Sequence, residues 1–320
     1  MEFREITLLD QEPIGALRAA AGHVTSSHAF VSLYLWRKTL SLSVAYRRNA
    51  FLVRMGEKSD FFFPCGERED VLSLLSEIFS EQKDARFFYA RKEDLLLASH
   101  LSEKGSSESF FTASEEEKAD TRHLLTARRT PEAREYLYDR AEQIAMPGKR
   151  FAYQRAKCNK ARRLGLIESL PLSPPLLGKA EKIARRWAEK RRDPGDLSET
   201  LEALALFSEL GLSGNMLFLD GEPVGFQLGS YLSPDTYDIH IAKTLADDVD
   251  PLMKWELYRA LPERVVSINR EEDLGIPGLA LHKADAQPAG FHEMFRLSYK
   301  PLSSGKEEGE EILGEVNLTL

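Results

Sequence analysis

A chain of 320 residues, 42% hydrophobic and 29% charged, has material for two packed cores rather than one small domain. Its formal net charge of -8 argues against wholesale coating of nucleic acid, and no apolar run reaches signal-peptide or bilayer-span length, so a cytoplasmic protein with no transmembrane segment is expected. Its two cysteines, Cys65 and Cys158, stand outside any Cys-x-x-Cys or Cys/His ligand spacing and read as small apolar residues, which excludes a disulfide framework and a structural zinc site.

In chain order, residues 27–38 place Phe30, Leu33 and Tyr34 on one side and end in Arg37 and Lys38, the pattern of an amphipathic helix. Short strand-like runs follow at 40–46, 51–55 and 61–63, separated by Arg48-Asn49 and by 56–60, which have the turn chemistry of a meander. A helix fits 70–80, with Val71, Leu74, Leu75 and Ile78 on one side, and an apolar strand fits 86–90. Residues 102–135 are polar and charge-rich, so the domain boundary is expected there: a first domain over 1–125, a linker over 126–147, a second domain over 148–300 and an acidic tail over 301–320.

The second half repeats the order of elements. Asp196 and Glu199 form a capping-box pattern ahead of Leu197, Leu201, Leu204 and Leu210 at helical spacing. Strands are expected at 215–219 and 223–231 around Asp220-Gly221, a dipeptide that tolerates the positive φ of a tight hairpin, and at 237–243. Asp250-Pro251 opens a helix, and 264–269 reads as a buried strand. Trp187 and Trp255 fall on apolar helical faces and are expected in the core.

Self-sufficient catalytic motifs are missing. There is no Gly-x-Ser-x-Gly elbow, His-Glu-x-x-His, P-loop or Gly-x-Gly-x-x-Gly, and the Gln/Arg-x-x-Gly-x-Gly/Ala loop that offers backbone amides to the pyrophosphate of acetyl-CoA is also lacking. The run 149–163 carries seven Lys or Arg, no acid, and the aromatics Phe151 and Tyr153. It could be a solvated helix, a phosphate-binding surface, or an internal partner of acidic segments.

The segment Ile268-Asn269-Arg270-Glu271-Glu272-Asp273-Leu274-Gly275 resembles the Ile-Asn-Arg-Glu-x-Asp-Leu-Gly signature of a bacterial family related to the C-terminal catalytic domain of phosphatidylglycerol lysyltransferases. Gly148-Lys149-Arg150, with Asn159 downstream, resembles the same family's Gly-Lys-Lys…Asn run. The resemblance implies an α+β fold of tandem GNAT-like acyltransferase domains, each a mixed sheet flanked by helices and akin to Fem-type aminoacyltransferases. It further implies transfer of an aminoacyl group from aminoacyl-tRNA to a lipid hydroxyl, with no metal and no organic cofactor. The family's Asp-x-x-Arg pair falls on His240 and Lys243, and its lysine ahead of the final strand on Lys283. The loss of the fixed negative charge where His240 stands departs from a site built for a lysyl group.

Aminoacyl transfer needs a base for the acceptor and cations for the oxyanion, so His240, Lys243 and Lys283 are the catalytic candidates. On a regular strand His240 and Lys243 face opposite ways and could converge only across a bulge. His240 could equally be a satisfied strand histidine, and 270–273 an exposed turn. Alternatively Asn269 and Asp273 fix that turn and leave Arg270 free for an anion. Substrate-binding candidates are Asn269, Arg270, Glu271 and Asp273, together with Lys149, Arg150, Tyr153 and Arg155 for aminoacyl-tRNA or another anionic donor. The acceptor would be a small molecule or a lipid. Rival readings are a non-catalytic ligand-binding protein on the same fold and a divergent acyl-CoA N-acyltransferase.

Overall fold

The computed structural model describes residues 1–82, 84–99, 123–191, 195–246, 248–301 and 311–312; the acidic cluster at 115–117 and most of the expected acidic tail lie outside the described residues. The chain forms two compact units, each with its own mixed sheet: residues 1–23, 36–134 and 292–320 in the first, 24–35 and 135–291 in the second.

In the first unit the strands are β1 (Arg4–Glu5), β2 (Leu42–Arg47), β3 (Ala50–Met55), β4 (Asp60–Phe62), β5 (Cys65–Gly66), β6 (Ala85–Ala90), β7 (His123–Arg129), β15 (Phe295–Pro301) and β16 (Glu311–Ile312). They run in the order β1-β2-β3-β4-β6-β15-β7-β16, with β5 on β3. The 40–63 meander is present as β2 to β4, and β4 pairs parallel with β6 after the helix Arg68–Glu81. That helix buries Val71, Leu74, Leu75 and Ile78 in one core with Leu52, Phe61, Phe87 and Leu297. Each such side chain contributes about 1.5–3 kcal/mol of burial.

The second unit holds β8 (Glu135–Asp139), β9 (Ile167–Pro171), β10 (Ser213–Leu219), β11 (Glu222–Ser233), β12 (Thr236–Thr244), β13 (Ser267–Asn269) and β14 (Gly290–His292), in the order β14-β8-β13-β12-β11-β10-β9. Asp220 and Gly221 turn the β10–β11 hairpin at φ 51° and 83°. The helix Asp250–Ala260 packs Leu257 and Tyr258 with Tyr138, Tyr237 and Ile268, and Leu252 and Met253 with Phe151, Cys158 and Leu217.

Three features differ from the sequence reading, each for a local reason. The 126–147 segment, expected as a linker, is built into both sheets as β7 and β8, because Leu125, Ala127, Tyr136 and Tyr138 are apolar side chains with a core to enter. Asp196 stands at the start of the helix Leu197–Ala205 but does not cap it with its side chain, since its carboxylate is taken by Lys243 at 2.5 Å. Trp187 and Trp255 are half-buried rather than core: Lys243 and Arg191 lie 3.8 Å from the Trp187 ring centroid, and Arg162 and Arg259 cover Trp255 at 4.4 and 4.5 Å.

Candidate active site at the strand fork

β12 and β13 pair in parallel over three residues only, Thr236 with Ser267, Tyr237 with Ile268 and Asp238 with Asn269. Beyond that point β12 continues to Thr244 while the chain after Asn269 turns away. His240 on one prong and Glu271 on the other are two residues past the last pair.

His240 is the extra residue of a bulge: Leu228 faces Ile241 and Gly229 faces Ile239, leaving it unmatched. The bulge requires a close backbone approach, since a Cβ on Gly229 would stand 2.0 Å from the Asp238 carbonyl oxygen. The other prong is held in a left-handed turn, with Glu271 at φ 57°, Leu274 at 55° and Gly275 at 68°. Asn269 Oδ1 accepts the Glu271 amide at 2.8 Å, Asp273 Oδ1 accepts the Gly275 amide at 2.9 Å, and Tyr136 donates its hydroxyl to Asp273 Oδ2 at 2.6 Å. Lys283 donates to the carbonyls of Arg270 at 2.5 Å, Glu271 at 3.1 Å and Glu272. These bonds offset the roughly 1–3 kcal/mol cost of the strained Glu271 backbone.

The fork gathers a hydrogen-bonded chain. His240 Nδ1 lies 2.9 Å from Glu271 Oε1 and 3.4 Å from Asp238 Oδ2, and its Nε2 lies 2.8 Å from Ser230 Oγ. The Glu271 carboxylate beside Nδ1 places the ring proton there, which leaves Nε2 to accept from the Ser230 hydroxyl. Ser26 donates its hydroxyl to Glu271 Oε1 at 3.0 Å. Behind them Glu135, fully buried, accepts the Ser26 and Ser27 amides at 2.9 and 3.0 Å and the Asn269 side-chain amide at 2.5 Å. Asp238 is also fully buried, and its pKa is driven well above the usual carboxylate range by burial, with His240 opposing and Glu271 adding to the rise. Glu272 is raised to about 8 by burial and by Glu271 and Glu135. Donor atoms of Asp238, His240 and Glu271 lie within 4.8 Å of one another, so these three are the residues that could hold a divalent cation.

The remaining candidates separate from this cluster. Lys243, buried, pairs with Asp196, and among the described residues it has no partner in common with His240 despite the bulge; burial lowers its pKa, with Asp196 opposing. Lys283 is spent on the three carbonyls, and its pKa is lowered to about 8 by burial and then by Arg270. The Arg270 side chain leaves the opposite face from Asn269 and Glu271 and lies over the Tyr138 ring at 5.0 Å. In the basic segment, which forms the helix Ala152–Arg162, Arg150 pairs with Glu142 and Arg155 donates to the carbonyls of Met146 and Gly148. Lys157 and Lys160 both pair with Asp248. Lys149 and Tyr153 are exposed, and the Lys157 ammonium lies 5.4 Å from the Tyr153 ring centroid. Sequence reasoning missed Asp238, Ser230, Ser26 and Glu135. Asp238 was within reach, because it shares a strand face with His240 two residues on.

Comparison with known proteins agrees with this architecture. No curated protein matches the chain. A conserved protein of unknown function from Bacteroides thetaiotaomicron is similar in structure at 22% identity and TM-score 0.77, over 94% of this chain and 100% of that one. The structure of L-PGS from Bacillus licheniformis is similar at 16% identity and TM-score 0.61, over 92% and 93%. The C-terminal domain of a putative lysylphosphatidylglycerol synthetase from Agrobacterium fabrum is similar at 13% and 0.59, over 90% and 92%. The family model for the C-terminal region of phosphatidylglycerol lysyltransferase matches residues 18–297. With its two mixed sheets flanked by helices, the chain belongs to that family.

Proposed function

We propose that this protein is an aminoacyltransferase in which His240 is the base. The observation that carries the reading is the chain Ser230 Oγ to His240 Nε2 and His240 Nδ1 to Glu271 at the open end of the β12–β13 pair. An acceptor hydroxyl or amine attacks the carbonyl carbon of an aminoacyl ester. The new bond forms as the ester C–O bond breaks, and the acceptor's proton passes through the Ser230 hydroxyl to Nε2 and then to the leaving oxygen. Glu271, with Asp238 beside it, stabilises the imidazolium and keeps the ring in one orientation. The acids at the fork also restore negative charge where the family's aspartate is replaced by His240, which suits the ammonium of an aminoacyl donor. The likeness to lysylphosphatidylglycerol synthetases supports a lysyl donor and a lipid acceptor as the first pair to try.

The test is transfer of label from a panel of radiolabelled aminoacyl-tRNAs to phosphatidylglycerol vesicles and to soluble amines and alcohols. His240→Gln is expected to slow transfer by about 10²–10⁴-fold, the usual weight of a general base. A second reading, a ligand-binding module without catalysis, is favoured by the burial of His240, whose side chain is 3% exposed, and by the engagement of Lys283 on carbonyls. If wild type and His240→Gln lose label at the same spontaneous rate, the second reading stands and the first falls.

A further inference from the structure

Arg270 has no part in the hydrogen-bonded chain at the fork. Its side chain projects from the other face of the turn into a cavity of about 190 Å³, walled by the helices Ala152–Arg162, Asp250–Ala260 and Pro277–Asp285. The residue is 7% exposed, and among the described residues its guanidinium makes no hydrogen bond and no ion pair, only the contact with the Tyr138 ring. Its N–H donors face the cavity, where solvent meets them, and an oxyanion entering there supplies the charged acceptor that the protein does not.

The neighbouring groups say what kind. Asp250, the acid on this wall nearest in charge balance to Arg270, already has the Lys254 ammonium on Oδ1 and His282 Nε2 at 3.2 Å from Oδ2. Burial works against its ionisation, yet Lys254, His282 and Arg270 together hold its pKa well below the usual carboxylate range, so it counts as one negative charge. Lys254 and Arg270 outnumber Asp250 by one positive charge beside the guanidinium, an excess that Asp285 cancels over the wall as a whole. Asp248, which also lines the cavity, is neutralised by Lys157 and Lys160. Asp285 adds an acid to the wall and makes no ion pair with the guanidinium. The Tyr258 hydroxyl, buried at the same wall, has no hydrogen-bond partner among the described residues and can donate to a group that packs against it. The volume is that of about six waters, enough for an acidic group and a short stem.

We propose that Arg270, with Lys254 and Tyr258, forms a binding site for one singly charged oxyanion, a carboxylate or a phosphodiester group on a small ligand, separate from the His240 fork. The planar guanidinium fork matches either group in bidentate fashion.

Acetate and dimethyl phosphate serve as probes of the two sources, titrated at constant ionic strength against chloride. The readout is the Trp255 indole N–H signal in a nitrogen-correlated NMR spectrum, because Trp255 lines the cavity and its indole is fixed on the Ile144 carbonyl at 3.0 Å. At least one probe should shift that signal saturably with a dissociation constant of about 1 mM, the affinity of a single charged contact set, and the one that does names the source. Arg270→Gln should weaken binding at least about tenfold and Tyr258→Phe about three- to tenfold, as losses of a charged and a neutral hydrogen bond. Tyr258→Phe should not lower the melting temperature, because the buried hydroxyl it removes has no partner among the described residues. Failure of both probes to saturate below about 50 mM would overturn the proposal. So would a folded Arg270→Gln that binds like wild type. Should Arg270→Gln not fold, undiminished binding by Tyr258→Phe would overturn it instead.

Discussion

Glu135→Gln isolates one buried carboxylate. In the wild type Oε2 accepts the Ser26 amide and the Asn269 side chain, and Oε1 accepts the Ser27 amide. The amide that replaces it must turn its NH₂ toward one of these. The cheaper choice faces Ser27, which loses one charge-assisted bond and leaves a buried N–H unmatched, about 1–3 kcal/mol, while the two surviving bonds weaken by about 1 kcal/mol each. Relief from burying a carboxylate offsets part of this, and the net expected loss is about 2–3 kcal/mol. For a unit of this size that corresponds to a fall in melting temperature of about 5–10 °C. Amide hydrogen exchange adds a local readout: protection should fall at Ser27 more than in β10 or β11, because only the 24–35 segment is released. A melting temperature within about 1 °C of wild type, together with unchanged protection at Ser27, would refute the argument.

Asp248→Asn should strengthen binding of a polyanion such as tRNA and steepen its salt dependence by up to about two phosphate equivalents, since it frees Lys157 and Lys160; an unchanged slope in filter binding would mean that these lysines do not face the polyanion. Lys283 and Lys254 both have folded pKa values of about 8 against 10.5 when unburied, so between those limits the unfolded chain holds more protons and stability rises with pH. The gain is complete above 10.5 and is lost as the pH falls through about 8. Urea midpoints at pH 8 and pH 10 measure it, and Lys283→Met should flatten the rise; equal midpoints in the wild type would count against the burial of both ammonium groups.

Where one residue's environment decides its conformation, the sequence was legible. Asp220-Gly221 announces its hairpin because only a few residue types accept positive φ, and Val71, Leu74, Leu75 and Ile78 announce a helix because their spacing has no other use. The fork was legible in part. The turn at 269–275 could be read from Asn269 and Asp273, and the period of a strand tells that His240 and Lys243 share a face only across a bulge. What could not be read was partnership at a distance. Glu135 and Ser26 lie 109 residues apart, and no local pattern tells that the first residue of a strand will seat the amides of a loop. The same holds for the charges. Lys243, Lys157 and Lys160 look free in sequence, and each is claimed by an acceptor that only the fold brings near.

β15 lies between β6 and β7, hydrogen-bonded to both. During synthesis the two flanking strands leave the ribosome long before residue 295 is made, and until then each exposes a row of unpaired backbone groups toward the gap. The second unit's strands emerge in the interval. The first unit is therefore the last to close, and its open edges must be kept from other chains while the second unit is being translated.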